Sequence, residues 1–174
     1  MLLIRSWVSP AETSPEIVEH PRILVPLDGS DLAESALPVA RQLAEALDGE
    51  LVLMRAAIPN EFPVAPAVGS GPGSPAVAGM VVTPEATETR QLVEEAQDYL
   101  RQHVPQGGRA EVLIDRPVQA IVDASRDLGA SLIVMTTHGR TGVSRALLGS
   151  VADGVLRQGR LPLLLLRPPQ TPTT

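Results

Sequence analysis

The 174-residue chain has no cysteine and no lysine, and only one residue each of Trp, Tyr and Phe. Without cysteine there is no disulfide framework, no thiolate metal site and no cysteine nucleophile. Without lysine, Schiff-base chemistry is excluded, as is a phosphate loop carrying its signature lysine. The shortage of aromatic rings argues against stacking platforms for single-stranded nucleic acid and against aromatic cages for cations. All fourteen basic residues are arginine, the net charge is −6, and no basic cluster provides the footprint of a phosphate-backbone binder. No apolar run approaches a membrane span, and the stretch at the amino terminus is interrupted at Arg5 and Ser6, too soon for a signal-peptide core. Nucleic acid and membrane are therefore set aside as partners, and a cytoplasmic location is the default.

What the chain does have is aliphatic content. At 44% hydrophobic residues it is long enough for a sizeable core and too short for two comfortable domains. From residue 22 strand-like and helix-like runs alternate. "RILVPL" has strand length, and Leu32, Ala36, Ala40, Leu43 and Leu47 follow on a helical period. Asp31 with Glu34 resembles a capping box, Gly49 suits the carboxyl end, and Pro38, beyond the first turn, predicts a kink. "ELVLMRAAI" at 50–58 reads as a second strand. Between Pro59 and Pro84 the chain turns to aperiodic Pro, Gly, Val and Ala, which reads as an insertion or exposed loop. Its "GSGPGS" lacks the flanking strand and helix of a phosphate-binding loop and is discounted. A helix over 84–104 then places Leu92, Ala96, Tyr99, Leu100 and Val104 on one side. A strand in "RAEVLI", a helix in "VQAIVDASRDLG", a strand in "SLIVMT", a helix near 150–158 and a last strand in "LPLLLL" complete the series. Alternation of this kind, with Ile/Leu/Val strands, predicts a doubly wound α/β domain with a five-stranded parallel sheet covered on both faces.

In such sheets ligands sit beyond the carboxyl ends of the strands where the winding reverses. With strand order 3-2-1-4-5, "PLDGSD" at 26–31 and "VMTTHGRTGVSRALLGSV" at 134–151 open onto one crevice. In the second segment Gly139, Gly142 and Gly149 permit close backbone approach, and Ser150 opens a helix whose free N–H groups favour an anion, a phosphate being the natural guest. Plainer roles stand beside these. Ser150 with Asp153 reads as a helix cap, Asp28 as the cap of a turn, His138 as a backbone-anchored loop residue, and Arg140 and Arg145 as surface charges.

"RILVPLDGSDLAESAL", "LIVMTTHGRTGVSRALLGSVADGVL" and "LPLLLLRP", in this order and spacing, resemble the universal stress protein family, with its adenine nucleotide alpha hydrolase-like fold. The likeness covers residues 22–57 and about 84–168. It implies a domain over 21–168 with the insertion at 59–84, an amino-terminal extension at 1–20 and a tail at 169–174. Nucleotide-binding members of the family carry Gly, two residues, Gly, nine residues, then Gly with Ser or Thr. Gly139, Gly149 and Ser150 match, whereas the leading position is Thr136.

Carried across, the resemblance implies that Pro26, Leu27 and Asp28 border the adenosine, that Ala56 offers backbone to the adenine, and that Met135 and Thr136 line the ribose. Phosphates would lie on Gly139, Gly149, Ser150 and Val151, with His138 and Gly142 shaping the loop. The implied ligand is ATP or a related adenine nucleotide, with Mg2+ held by the phosphates and water rather than by protein side chains. The family also implies a homodimer through the last strand, Leu163, Leu164, Leu165 and Leu166, whose long apolar edge invites pairing if left uncovered. The leading expectation is an ATP-binding stress-response module with slow or no hydrolysis. A weak ATPase, and a dimeric interaction module of the same family that binds no nucleotide, are the alternatives.

Overall fold

A computed structural model describes residues 3–5, 18–58, 84–136 and 149–167. It contains one six-stranded sheet in the order β1-β6-β5-β2-β3-β4. The strands are β1 (Leu3–Arg5), β2 (Arg22–Pro26), β3 (Glu50–Ala57), β4 (Arg109–Ile114), β5 (Leu132–Thr136) and β6 (Leu163–Leu166). Strands β2 to β6 pair in parallel, and counted among themselves they run 3-2-1-4-5, the expected doubly wound order. β1 is an addition: it pairs antiparallel with β6, matching Leu3, Ile4 and Arg5 to Leu165, Leu164 and Leu163. This pairing covers the edge of Leu163–Leu166, the strand that the family resemblance assigns to a homodimer contact.

The helices are α1 (Asp31–Glu34), α2 (Leu37–Ala46), α3 (Pro84–His103), α4 (Pro117–Asp127) and α5 (Ser150–Gln158). Because side chains alternate along a strand, each central strand feeds two cores. Ile23, Val25, Leu51, Leu53, Val134 and Leu164 pack with α1, α2 and α3 on one face. Leu24, Val52, Met54, Ile133, Met135, Leu163 and Leu165 pack with α4 and α5 on the other. Burial on both faces is why these strands read as unbroken aliphatic runs.

Pro38 does not kink a helix. It lies in the first turn of α2, and α1 ends four residues earlier at Glu34. A proline ring has no N–H and collides with the carbonyl four residues back, so the chain stops one helix and starts another. The capping box is also displaced. Ser30, not Asp31, caps α1, its Oγ accepting from the Ala33 N–H at 3.2 Å. At the far end of α2, Gly49 donates to the Ala44 carbonyl at 2.8 Å while Asp48 takes the left-handed turn at φ 49°. These are the bonds of a Schellman motif.

α5 lies close against α4. An alanine methyl at Gly154 would stand 2.6 Å and 3.0 Å from the two Cγ atoms of Val118. The absence of a side chain there sets how near the start of α5 comes to the carboxyl ends of β2 and β5.

Candidate functional site

β2 and β5 are neighbours at the reversal of winding, and beyond their ends the chain leaves an open cavity of about 340 Å³. Pro26, Leu27, Asp28, Ala56, Met135, Thr136, Gly149, Ser150 and Val151 all line it. His138, Gly139 and Gly142 lie outside the described residues, as do Arg140 and Arg145. Three further walls lie outside the residues assigned to the site from the sequence: Ser30, Leu32 and Ala33 at and within α1, Arg55 and Ile58 from the end of β3, and Pro117 and Ile121 from α4. The lining is mainly apolar, with a few polar groups at fixed places, the usual make-up of a small-molecule pocket.

The turn after β2 is built by Asp28. Its Oδ1 accepts from the Ser30 N–H at 3.0 Å and from the Ser30 hydroxyl at 2.6 Å. This is an Asx-type turn, so the plainer reading of Asp28 holds whatever else the residue does. Gly29 adopts φ +85°, and a Cβ there would lie 3.2 Å from both terminal nitrogens of Arg55. The glycine thus meets two demands at once: a left-handed backbone and room for a guanidinium lying on it.

Arg55 is sandwiched. Its Cζ sits 4.8 Å from the centre of the Tyr99 ring, opposite the Gly29 backbone. Tyr99 on α3 donates its hydroxyl to Glu34 Oε1 at 2.8 Å, and His103 Nε2 is 3.4 Å from the same oxygen. α1, β3 and α3 are thereby tied together directly behind the pocket wall. Partial burial, followed by the hydrogen bond and charge of Glu34, pushes the Tyr99 hydroxyl well above its ordinary pKa. The folded chain therefore holds this proton more tightly than the unfolded chain does. The associated stability is intact below the ordinary tyrosine pKa of about 10 and is lost as pH rises beyond it. Tyr99→Phe is expected to lower stability by about 1 kcal/mol at neutral pH. It should also flatten the alkaline decline in urea midpoint, and since Tyr99 is the only tyrosine, phenolate absorbance reads its titration directly.

Thr136, at the end of β5, donates its hydroxyl to the Leu32 carbonyl at 3.1 Å. This bond docks α1 on the strand end and fixes the threonine rotamer at the pocket wall. Opposite it, α5 begins with Gly149 as its cap residue, at φ −54° and ψ 150°, and among the described residues no side chain caps the helix. Ser150 is the first helical residue and not the cap, which corrects the expected Ser150–Asp153 capping pair. The Asp153 carboxylate instead accepts from Arg157 Nε at 2.8 Å, one turn on, while its N–H closes the first helical bond to the Gly149 carbonyl. The N–H groups of Ser150, Val151 and Ala152 consequently have no acceptor within the helix, and those three residues line the cavity. A helix of nine residues opening without a cap into a pocket favours an anion at that end.

A doubly wound parallel sheet with a pocket at its reversal point defines the class of an α/β domain with a candidate ligand site. Its family follows from comparison: the Universal stress protein family pattern matches residues 19–167, and the chain belongs to that family. It is 29% identical over 151 residues to universal stress protein MJ0531 of Methanocaldococcus jannaschii, spanning 87% of this chain and 84% of that one. It is 30% identical over 149 residues to universal stress protein Rv2005c of Mycobacterium tuberculosis, spanning 86% of this chain and 46% of that one, about half its length. Among solved structures, that of MJ0577 agrees with a TM-score of 0.64 at 24% identity, over 88% of this chain and 100% of that one. A universal stress protein in complex with cAMP agrees with a TM-score of 0.53 at 22% identity, over 86% and 98% of the two chains. These structural likenesses establish the shared fold. Among the described residues no helix is long and apolar enough to cross a membrane.

Proposed function

We propose that the chain is an adenine-nucleotide-binding regulatory module, with ATP as the reference ligand, whose occupancy biases conformation or partner choice. The observation that carries this reading is the uncapped start of α5, facing an apolar cavity at the reversal of the sheet. The cavity walls suit a flat, weakly polar base near Ala56 and Ile58, and the N–H groups of Ser150, Val151 and Ala152, which have no acceptor within the helix, suit phosphate oxygens. The complex of a fold neighbour with cAMP, itself an adenine nucleotide, lends support.

Asp28, Met135 and Thr136 line the same cavity and are proposed to hold the ribose. Gly139 and His138, in the chain segment before α5, are proposed to complete the phosphate end together with Gly142. Mg2+ would accompany the phosphates and neutralise their charge, coordinated by phosphate and water oxygens. Among the described residues no group of three or more His, Cys, Asp or Glu side chains converges to hold one. Turnover is proposed to be slow or absent. Activating a water needs a carboxylate or imidazole directed at it, and the Asp28 oxygen that accepts twice from Ser30 is committed to its turn.

The test is a thermal titration of the purified chain with ATP and Mg2+, together with analysis of nucleotide released on denaturation. Saturating ligand should stabilise the fold by about 2.7 kcal/mol at a hundred times Kd. A protein that releases no nucleotide and gains no stability at millimolar ATP would instead be the interaction module without a ligand.

A further inference from the structure

Among the described residues that line the cavity, Arg55 is the one basic side chain and Asp28 the one acidic one. α5, whose start suits phosphates, packs on one face of the sheet, whereas Arg55 meets Tyr99 of α3 on the other. This cation therefore lies away from the phosphate end.

The guanidinium is held flat. A Cβ on Gly29 would stand 3.2 Å from both terminal nitrogens of Arg55 and 3.4 Å from its Cζ, near-equal distances that set the plane face-on to the Gly29 backbone. The Tyr99 ring covers the opposite face, with Cζ 4.8 Å from its centre, and the bond from its hydroxyl to Glu34 fixes the ring in turn. With both faces covered, the five N–H donors point outward in the plane of the group. Among the described residues no acceptor meets them, and none of the buried side-chain nitrogens lacks a partner, so these donors open to solvent. They open at the cavity. Asp28 and Ser30 line it but Gly29 between them does not, its place in the wall being taken by the guanidinium that lies over it.

We propose that Arg55 reads the sugar of the ligand, donating to a ribose hydroxyl oxygen, and so makes the site select ribonucleotides over their deoxy counterparts. This rests on the nucleotide reading above, in which Asp28 holds the ribose. A hydroxyl both donates and accepts hydrogen bonds, and a guanidinium beside a carboxylate offers it both kinds of partner. Because Arg55 lies on the residue next to Asp28, the two charges offset each other, and a neutral hydroxyl suits such a pair better than a second anion does. A deoxy sugar puts a C–H where the guanidinium needs an acceptor, and the bound ligand keeps water from replacing it. The discrimination comes from that unpaired donor. Gly29 and Tyr99 are positioning residues, acting through the plane in which they hold Arg55.

Calorimetric titration of the full chain with ATP, 2′-deoxy-ATP and 3′-deoxy-ATP, each with Mg2+, tests this in the unsubstituted protein, in Arg55→Leu and in Arg55→Lys. The unsubstituted protein should bind at least one of the deoxy nucleotides about tenfold more weakly than ATP. Arg55→Leu should bring the three affinities close to parity. Arg55→Lys keeps the charge but not the planar fork, and discrimination should fall there too. A cooperative thermal transition confirms that each variant is folded, and if the leucine variant fails to fold, the lysine variant alone decides. Equal affinity of the unsubstituted protein for ATP and both deoxy nucleotides overturns the proposal and leaves the nucleotide reading intact. Discrimination that persists in either folded variant overturns it as well, leaving Arg55 a cross-link between β3 and α3. An unsubstituted protein that binds none of the three overturns both.

Discussion

Gly149→Asp is expected to make the protein more stable and to cost it its phosphate ligand. Gly149 already has the extended dihedrals of a cap residue, φ −54° and ψ 150°, which aspartate adopts without strain. An Asp carboxylate there accepts from first-turn N–H groups that have no acceptor within the helix, and it faces the positive end of the helix. The expected gain is roughly 0.3–1 kcal/mol of stability. The same carboxylate stands where a phosphate would, and like charges in contact cost several kcal/mol. ATP affinity should therefore fall by at least about a hundredfold, equivalent to ~2.7 kcal/mol. Adenosine, without phosphates, should bind both proteins alike. Gly149→Asn supplies a neutral cap and should lose less affinity than the aspartate. Calorimetric titration beside urea unfolding separates the two effects, whose opposite signs no general loss of structure can produce.

Gly154→Ala is the second large effect, and its sign runs against helix propensity. In an exposed helix this change stabilises by about 1 kcal/mol, because glycine loses more backbone freedom on folding. Here the added methyl meets Val118 at 2.6 Å and 3.0 Å, on a branched side chain with little rotamer freedom. α5 must move away from α4 or Val118 must leave its rotamer, and overpacking of this sort costs about 1–3 kcal/mol. The net expectation is destabilisation, read as a lowered urea midpoint. Val118→Ala in the same chain should restore much of it by giving the methyl room. Because Val151, Ala152 and Pro117 border the pocket on either side of this contact, displacement of α5 should also weaken nucleotide binding.

These two positions show what the sequence makes legible. The five parallel strands could be read because burial on both faces demands continuous Ile, Leu and Val, and the pocket because β2 and β5 end side by side. Nine of the residues singled out from the sequence line the cavity, since each stands at the end of a strand or the start of a helix. Cap identity was less legible: Ser30 displaces Asp31, and Gly149 displaces Ser150, each by a single residue that only dihedral angles resolve. Arg55 was hidden in a strand pattern, where alternation shows which face it leaves but not that it lies between Gly29 and Tyr99. β1 carries no periodic signal in three residues, and its meaning depends on the strand it covers, which lies at the far end of the chain at Leu163–Leu165. The contact of Gly154 with Val118 likewise exists only between two packed helices.

The central claim is that main-chain N–H groups at the start of α5, and not a basic side chain, receive the phosphates. Amide chemical shifts of 15N-labelled protein during titration with ATP and Mg2+ test it most directly. The account predicts large, saturable changes at Ser150, Val151 and Ala152, absent when adenosine replaces ATP. Saturable binding of ATP that leaves those three amides unmoved would contradict it.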